Sequence, residues 1–270
     1  MAAARALDVV VDIAGIPLRL RTRDPAFSRM LRERYASFLR TSAPPRICQL
    51  DIHLTPSDRP PADADQDVRV TRRSNRWRFE RGDFVCEWDP RWRRGWIRQS
   101  PNPYSVDSVL RILHSLLAAA QGGFLLHAAS AIRNARAFLF AGLSGAGKTT
   151  IARLAPPDVT LLTDEISYVR PRAGQFWAFG TPFAGDLEHA GTNVSAPVAA
   201  LFLLAKGDLT QSEPVRPVEA AYALLRNILF FATDADLVRP VFYSACEFVR
   251  RVPVRCLTFV PDPSAWDLVK

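Results

Sequence analysis

Lysine is nearly absent from this chain of 270 residues: only Lys148, Lys206 and Lys270 occur, so arginine supplies almost all of the positive charge. Cysteine is sparse as well. Cys48, Cys86, Cys246 and Cys256 form no CxxC pair and have no metal-like spacing with histidine, which argues against a zinc or redox site and for reduced, mostly buried thiols. Long apolar runs are missing. The stretch from Pro197 to Ala205 is about half of the ~18 residues that a membrane-crossing helix requires. Asp8 and Asp12 interrupt the N-terminal apolar segment, which excludes a secretory signal, and a cytoplasmic protein without membrane association is expected. No internal repeat or low-complexity tract is present. With 48% hydrophobic and 23% charged residues, the composition is that of a folded globular chain.

What is present is unevenly placed. The net charge is +8, and residues 1–100 hold 20 arginines against 13 acids, so nearly all of the excess lies there. Ten arginines fall between Arg69 and Arg98, together with Trp77, Trp88, Trp92 and Trp96. Three readings of that segment stand side by side. The arginines can be solvated on one face of a sheet whose other face buries the tryptophans. They can bind an acidic peptide or protein. They can contact nucleic acid through phosphates and stacked bases, the least favoured of the three.

Periodicity divides the chain. Leu7–Ile13 and Ile16–Arg21 flank Ala14-Gly15 and read as a hairpin. Asp24 and Pro25 open a helix predicted to reach Leu39. A strand at Ile47–Leu54 and a Pro- and Asp-rich loop from Pro56 to Asp67 follow. Alternating segments to Arg98 then read as an antiparallel meander. Residues 1–100 are thus expected to form a small basic α+β domain, and 101–123 a connecting helix ended by Gly122-Gly123. Residues 124–270 are expected to form an α/β nucleotide-binding domain. Its strands are predicted at Phe124–Ile132, Ala137–Ala141, Val159–Thr163, Ile166–Arg170, Gln175–Phe179, Ala199–Leu204 and Val254–Phe259. Its helices are predicted at Pro217–Phe231 and Asp236–Val249.

The chemistry is concentrated in one motif. Gly142-Leu143-Ser144-Gly145-Ala146-Gly147-Lys148-Thr149 fits the Walker A pattern and follows a predicted strand. Glycines there let backbone N–H groups turn toward phosphate oxygens, and a helix starts at Lys148 with its positive end facing them. Lys148 would hold the β- and γ-phosphates. Thr149 would offer its hydroxyl to Mg²⁺, and Thr150 completes the loop. After one short helix, cut off by Pro156-Pro157, the strand Val159–Thr163 ends in Asp164-Glu165, an acidic pair in the position of a Walker B element. His127 sits in an apolar strand, where a lone histidine is ordinarily a core residue. His53, His114 and His189 carry no functional expectation.

Taken together, Leu126-His127-Ala128, Gly142–Thr149 and Leu161-Leu162-Thr163-Asp164-Glu165 resemble the HPr kinase/phosphorylase family, which shares a nucleotide fold with phosphoenolpyruvate carboxykinase. The match in order and spacing covers residues 124–170 and weakens through Gly180–Phe183 and Ser195–Gly207. The resemblance implies a P-loop HPr kinase-like domain that transfers phosphate from ATP, with Mg²⁺, to a Ser hydroxyl of a peptide or small protein. It implies His127 as an orienting group and Glu165 in place of the family's catalytic Asp. Asp164 would bind Mg²⁺ or share the base role, and Asp186 would be a further metal ligand, with Glu188 nearby. The family pair is Asp-Asp, so the base assignment stays divided between Asp164 and Glu165. The glycine-rich segment that serves reversal by phosphate is not found. Relatives act as tailoring kinases on ribosomally made peptides such as lasso peptides, and HPr kinases are homo-oligomers. A small-metabolite kinase and a non-catalytic ATP-dependent binding module remain the alternatives.

Overall fold

The computed structural model describes residues 6–42, 44–45, 47–55, 67–183, 185, 187, 191–232 and 234–270. It is a mixed α/β chain with two sheets and few helices. Two compact units divide it, Met1–Leu113 and His114–Lys270. Among the described residues no helix is long and apolar enough to cross a membrane.

The first unit is built on strands β1 (Leu7–Ile13), β2 (Ile16–Thr22), β3 (Cys48–Leu54), β4 (Arg69–Arg73), β5 (Arg76–Arg81), β6 (Phe84–Asp89) and β7 (Arg94–Gln99). Their order in the sheet is β1-β2-β3-β7-β6-β5-β4. The hairpin and the meander are both antiparallel, as the short turns between their strands predict, but β2–β3 and β3–β7 pair in parallel. Strict alternation buries one face: Val9, Val11, Leu18, Leu20, Leu50, Phe79, Cys86, Trp88 and Ile97 are inside. Helix α1 (Pro25–Arg34) packs on β1 and β2, with Asp24 accepting from the Phe27 amide as its N-cap.

The predicted helix to Leu39 stops early. Tyr35 leaves helical geometry, and a 3₁₀ turn at Ala36–Phe38 follows. The Tyr35 hydroxyl donates to Asp107, which also accepts from Arg34. Asp107 lies on helix α2 (Pro103–Ala119), so this buried polar pair ties the end of α1 to α2. The loop expected at Pro56–Asp67 falls outside the described residues up to position 66.

The second unit contains β8 (Phe124–Arg133), β9 (Arg136–Ala141), α3 (Lys148–Arg153), β10 (Thr160–Thr163), β11 (Ile166–Arg172), β12 (Gln175–Phe179), β13 (Ser195–Lys206), β14 (Gln211–Pro214), α4 (Pro217–Asn227), α5 (Ala235–Arg251) and β15 (Val254–Phe259), ending in a 3₁₀ turn at Pro263–Leu268. The sheet runs β10-β8-β11-β12-β13-β15-β14, and β9 bridges β8 and β13. Strand β13 starts four residues before the predicted Ala199 and passes through Pro197. The missing N–H of Pro197 is accommodated next to a bulge between Val198 and Ala200. Helix α4 ends at Asn227 because Ile228 bridges to Leu126 and the Leu229 amide donates to Leu125.

Phe138, Phe140, Phe202, Leu257 and Trp266 form the core beneath α3, with Phe140 and Trp266 edge-on at 5.2 Å. The Trp266 indole donates to the Ile151 carbonyl at 3.0 Å. All four cysteines are free. Cys48 and Cys86 are buried as expected, but Cys246 is exposed on α5 and Cys256 is half-buried, which corrects the expectation of mostly buried thiols.

His114 is wholly buried and neither ring nitrogen has a hydrogen-bond partner. Its ring meets Tyr168 edge-on at 5.9 Å. Burial holds its pKa at about 3, against the usual 6.5. The unfolded chain takes up a proton below pH 6.5 that the folded ring refuses. The stability contribution is therefore complete above pH 6.5 and is lost as the pH falls toward 3. Between pH 7 and pH 5 the wild-type chain is expected to lose on the order of 2 kcal/mol more than His114→Leu. Urea unfolding of both proteins at the two pH values measures the difference.

Candidate functional site

One strand carries the geometry of the site. On β8, Ala128 pairs with Ala141, the last residue of β9, while His127 pairs with Ile166, the first residue of β11. Strand β10 also pairs with β8, placing Thr163 opposite Ser130. The loop that leaves β9 at Gly142 and the bend between β10 and β11 therefore emerge together beside the middle of β8, at His127–Ser130. The bend is Asp164-Glu165. The Thr163 hydroxyl fixes it by accepting from the amides of Glu165 and Ile166 at 3.3 and 3.4 Å.

The loop from Gly142 to Gly147 closes tightly. The Ala146 amide donates to Leu143 O, and the Ile151 amide to Gly147 O at the start of α3. Gly147 has φ +107°, and a Cβ there would lie 2.8 Å from the Phe259 ring. Only glycine suits both the left-handed backbone and the close ring. Lys148, buried at the first position of α3, donates from Nζ to the carbonyls of Gly142 (2.8 Å) and Leu143 (3.3 Å). Burial lowers its pKa, and the nearby Glu165 carboxylate opposes that shift.

A cavity of about 400 Å³ opens over this loop. It brings together His127, Ser144, Gly145, Gly147, Lys148, Thr149, Thr150, Asp164 and Glu165. Gly142, Leu143 and Ala146 complete the loop without lining the cavity. Asp186 and Glu188 lie outside the described residues.

The two acids are not equivalent. Asp164 is buried, and its two oxygens accept from the amides of Gly185 (2.9 Å) and Leu187 (3.0 Å). It anchors Gly185 and Leu187 next to the site. Glu165 is half-buried, lines the cavity and interacts with Lys148. Both acids line the cavity, but only Asp164 has its two oxygens engaged by these backbone amides.

Two lining residues escaped the sequence reading. Arg153 lies one helical turn beyond Thr149 on α3, and that i+4 spacing was a usable signal. Gly185 approaches the acids so closely that a Cβ would sit 2.9 Å from Asp164 Oδ2 and 3.1 Å from Glu165 Cβ. No local pattern marks it, because the contact spans 21 residues.

The cavity offers oxygen donors from Thr149, Asp164 and Glu165, a set suited to a hard cation such as Mg²⁺. Among the described residues no group of three His, Cys, Asp or Glu could hold a metal by itself. A cation at this place would need oxygens from a phosphate ligand and water, which is a common arrangement for Mg²⁺.

A family model described as SynChlorMet cassette protein ScmC matches residues 102–267, more than half of the chain. The chain belongs to this family. The match to the ScmC family spans α2, every strand around the cavity and the turn bearing Trp266, and it omits the basic sheet. The family description names a cassette and no reaction. No curated protein matches the chain.

The unequal roles of the acids have separate expected outcomes. Asp164→Ala strips acceptors from two backbone amides and should cost about 2 kcal/mol or more of unfolding free energy. Glu165→Gln should stay within roughly 1 kcal/mol of the wild type. Chemical denaturation of the two variants makes the comparison.

Proposed function

We propose that this ScmC-family chain is an ATP- and Mg²⁺-dependent kinase that phosphorylates a Ser hydroxyl of a peptide or small protein. The observation that carries the reading is the shared cavity, in which a Walker A loop, His127 and Glu165 face one space. The resemblance to HPr kinase/phosphorylase, stated on the same residues, supports it. Membership of a cassette family suits an acceptor encoded alongside this chain.

In this reading the loop amides from Ser144 to Thr149 bind the phosphates, and Lys148 gives up its bonds to the Gly142 and Leu143 carbonyls to reach them. Thr149, with the acids, would hold Mg²⁺, which when bound neutralises charge between the phosphates. Glu165 accepts the proton of the Ser hydroxyl. The Ser oxygen forms a bond to the γ-phosphorus as the bond from that phosphorus to the ADP oxygen breaks. Asp164 holds the amides of Gly185 and Leu187 beside the acids. His127, the cross-strand neighbour of Ile166, orients the reacting groups. Arg153 adds positive charge at the cavity wall, where transferred phosphate oxygens would gain most from it.

Intact-mass spectrometry of Ser-bearing peptides, including any encoded beside this gene, incubated with protein, ATP and Mg²⁺, tests the proposal. A phosphate-sized mass gain is expected, and Lys148→Ala should abolish it. Glu165→Gln should lower the transfer rate by roughly 10²–10⁴-fold with little change in ATP affinity by calorimetry. Full transfer by Glu165→Gln would remove it as the base. ATP binding without turnover on any acceptor would favour a binding module instead.

A further inference from the structure

The sheet of the first unit has one face that no helix of that unit covers. Register sets its side chains in rows. One row runs Arg19, Gln49, Arg94, Asp89, Arg76, Arg73 across β2, β3, β7, β6, β5 and β4. The next runs Arg21, Asp51, Trp96, Glu87, Arg78, Thr71. Apart from the buried Gln49, these residues are exposed or half-buried, whereas most of their neighbours along β2, β3, β5, β6 and β7 form the core. Three strands of this sheet, β2, β3 and β7, pair in parallel, an arrangement usually covered on both faces.

A groove of about 1030 Å³ crosses the face, with Arg23, Asp51, His53, Trp92, Arg94 and Trp96 among its walls. Most of the cations around it are already engaged. Arg21 pairs with Asp8, Arg76 with Asp89, and Arg78 with Glu80 and Glu87. Arg23 and Arg94 have no acidic partner among the described residues, and both are exposed. Arg73, in the same row as Arg94 and three strands away, is likewise exposed and has no acidic partner among the described residues, roughly 14 Å off by strand spacing. Trp92 is 65% exposed, with the Arg91 guanidinium 5.2 Å over its ring. Of the four tryptophans in this segment, Trp77 and Trp88 serve the core, while Trp92 and Trp96 face the groove.

We propose that this groove binds an extended acidic peptide segment, which places carboxylates at Arg23 and Arg94 and an apolar side chain against Trp92. The pattern of charge decides the class of partner. Unpaired arginines at separated points match discrete carboxylates, and an exposed Trp flanked by Arg is a usual binding anchor. A nucleic-acid strand carries a charge at every nucleotide and would meet Asp51, Glu87 and Asp89 in the same groove. The inference concerns binding alone and extends the peptide-acceptor reading. A chain that binds the peptide but transfers no phosphate would sink the kinase and leave the groove, and transfer without groove binding would do the reverse.

Fluorescence anisotropy on the full chain tests it, with a short fluorescein-labelled peptide alternating glutamate with leucine as the probe. Its glutamine analogue and a single-stranded DNA oligonucleotide are the competitors. Tight, salt-sensitive binding of the acidic peptide alone is expected. Arg94→Glu and Arg23→Glu should each weaken it about tenfold, and Trp92→Ala, which keeps every charge, several-fold. Lys148→Ala should leave it unchanged. Arg23 and Arg94 are exposed and have no acidic partner among the described residues, so circular dichroism of their variants should match the wild type. Equal binding of the glutamine analogue, indifference to both charge reversals, or tighter binding of the oligonucleotide with the same losses would overturn the proposal.

Discussion

The candidate site depends on the pairing of strand β8, which has neighbours on both sides and a change of partner along its length. Toward its end it pairs with β9 on one side and β10 on the other, and toward its start it pairs with β11. The residues that sit closest, Ala128, Ala129 and Ala141, are small and fully buried. Their small side chains leave room for strands on both sides of β8, and the Ser167 hydroxyl donates to the Ala128 carbonyl at 2.8 Å across the β11 side. The phosphate-type loop, the acids and His127 all take their positions from this one register.

Legibility in the sequence followed the range of the interactions. The Gly142–Thr149 loop could be read because its glycines, its lysine and the helix start are neighbours in sequence, and the required backbone shape is local. The Asp164-Glu165 bend could be read as a strand ending in acids. The different surroundings of the two acids could not, because they rest on amides of Gly185 and Leu187 that return from more than twenty residues away. The parallel pairing of β2, β3 and β7 was hidden for a similar reason: alternation tells which face of a strand is buried, not which way its neighbour runs. Strand β14 was missed because Gln211–Pro214 is polar and lies at the sheet edge, where no apolar pattern is needed.

The two units divide labour by charge. The positive excess resides in the first, and its arginines extend across a solvated sheet face. The second carries the cavity, and the ScmC family match covers it while leaving residues 1–101 aside. The family match thus coincides with the unit that holds the cavity and with helix α2 leading into it.

Helix α3 has only six residues, far fewer than an isolated helix needs to persist in water. Its order is borrowed: Ile151 lies in the aromatic core, and the Trp266 indole occupies the Ile151 carbonyl near the helix end. The amides of Lys148–Arg153 are accordingly governed by packing on β8 and β9 and by these two side-chain attachments rather than by the helix's own length. A helix that depends on so few attachments is expected to exchange its amide hydrogens at a free energy below that of global unfolding. A ligand held by the loop would slow that exchange, so occupancy would register early in the amides of a six-residue helix.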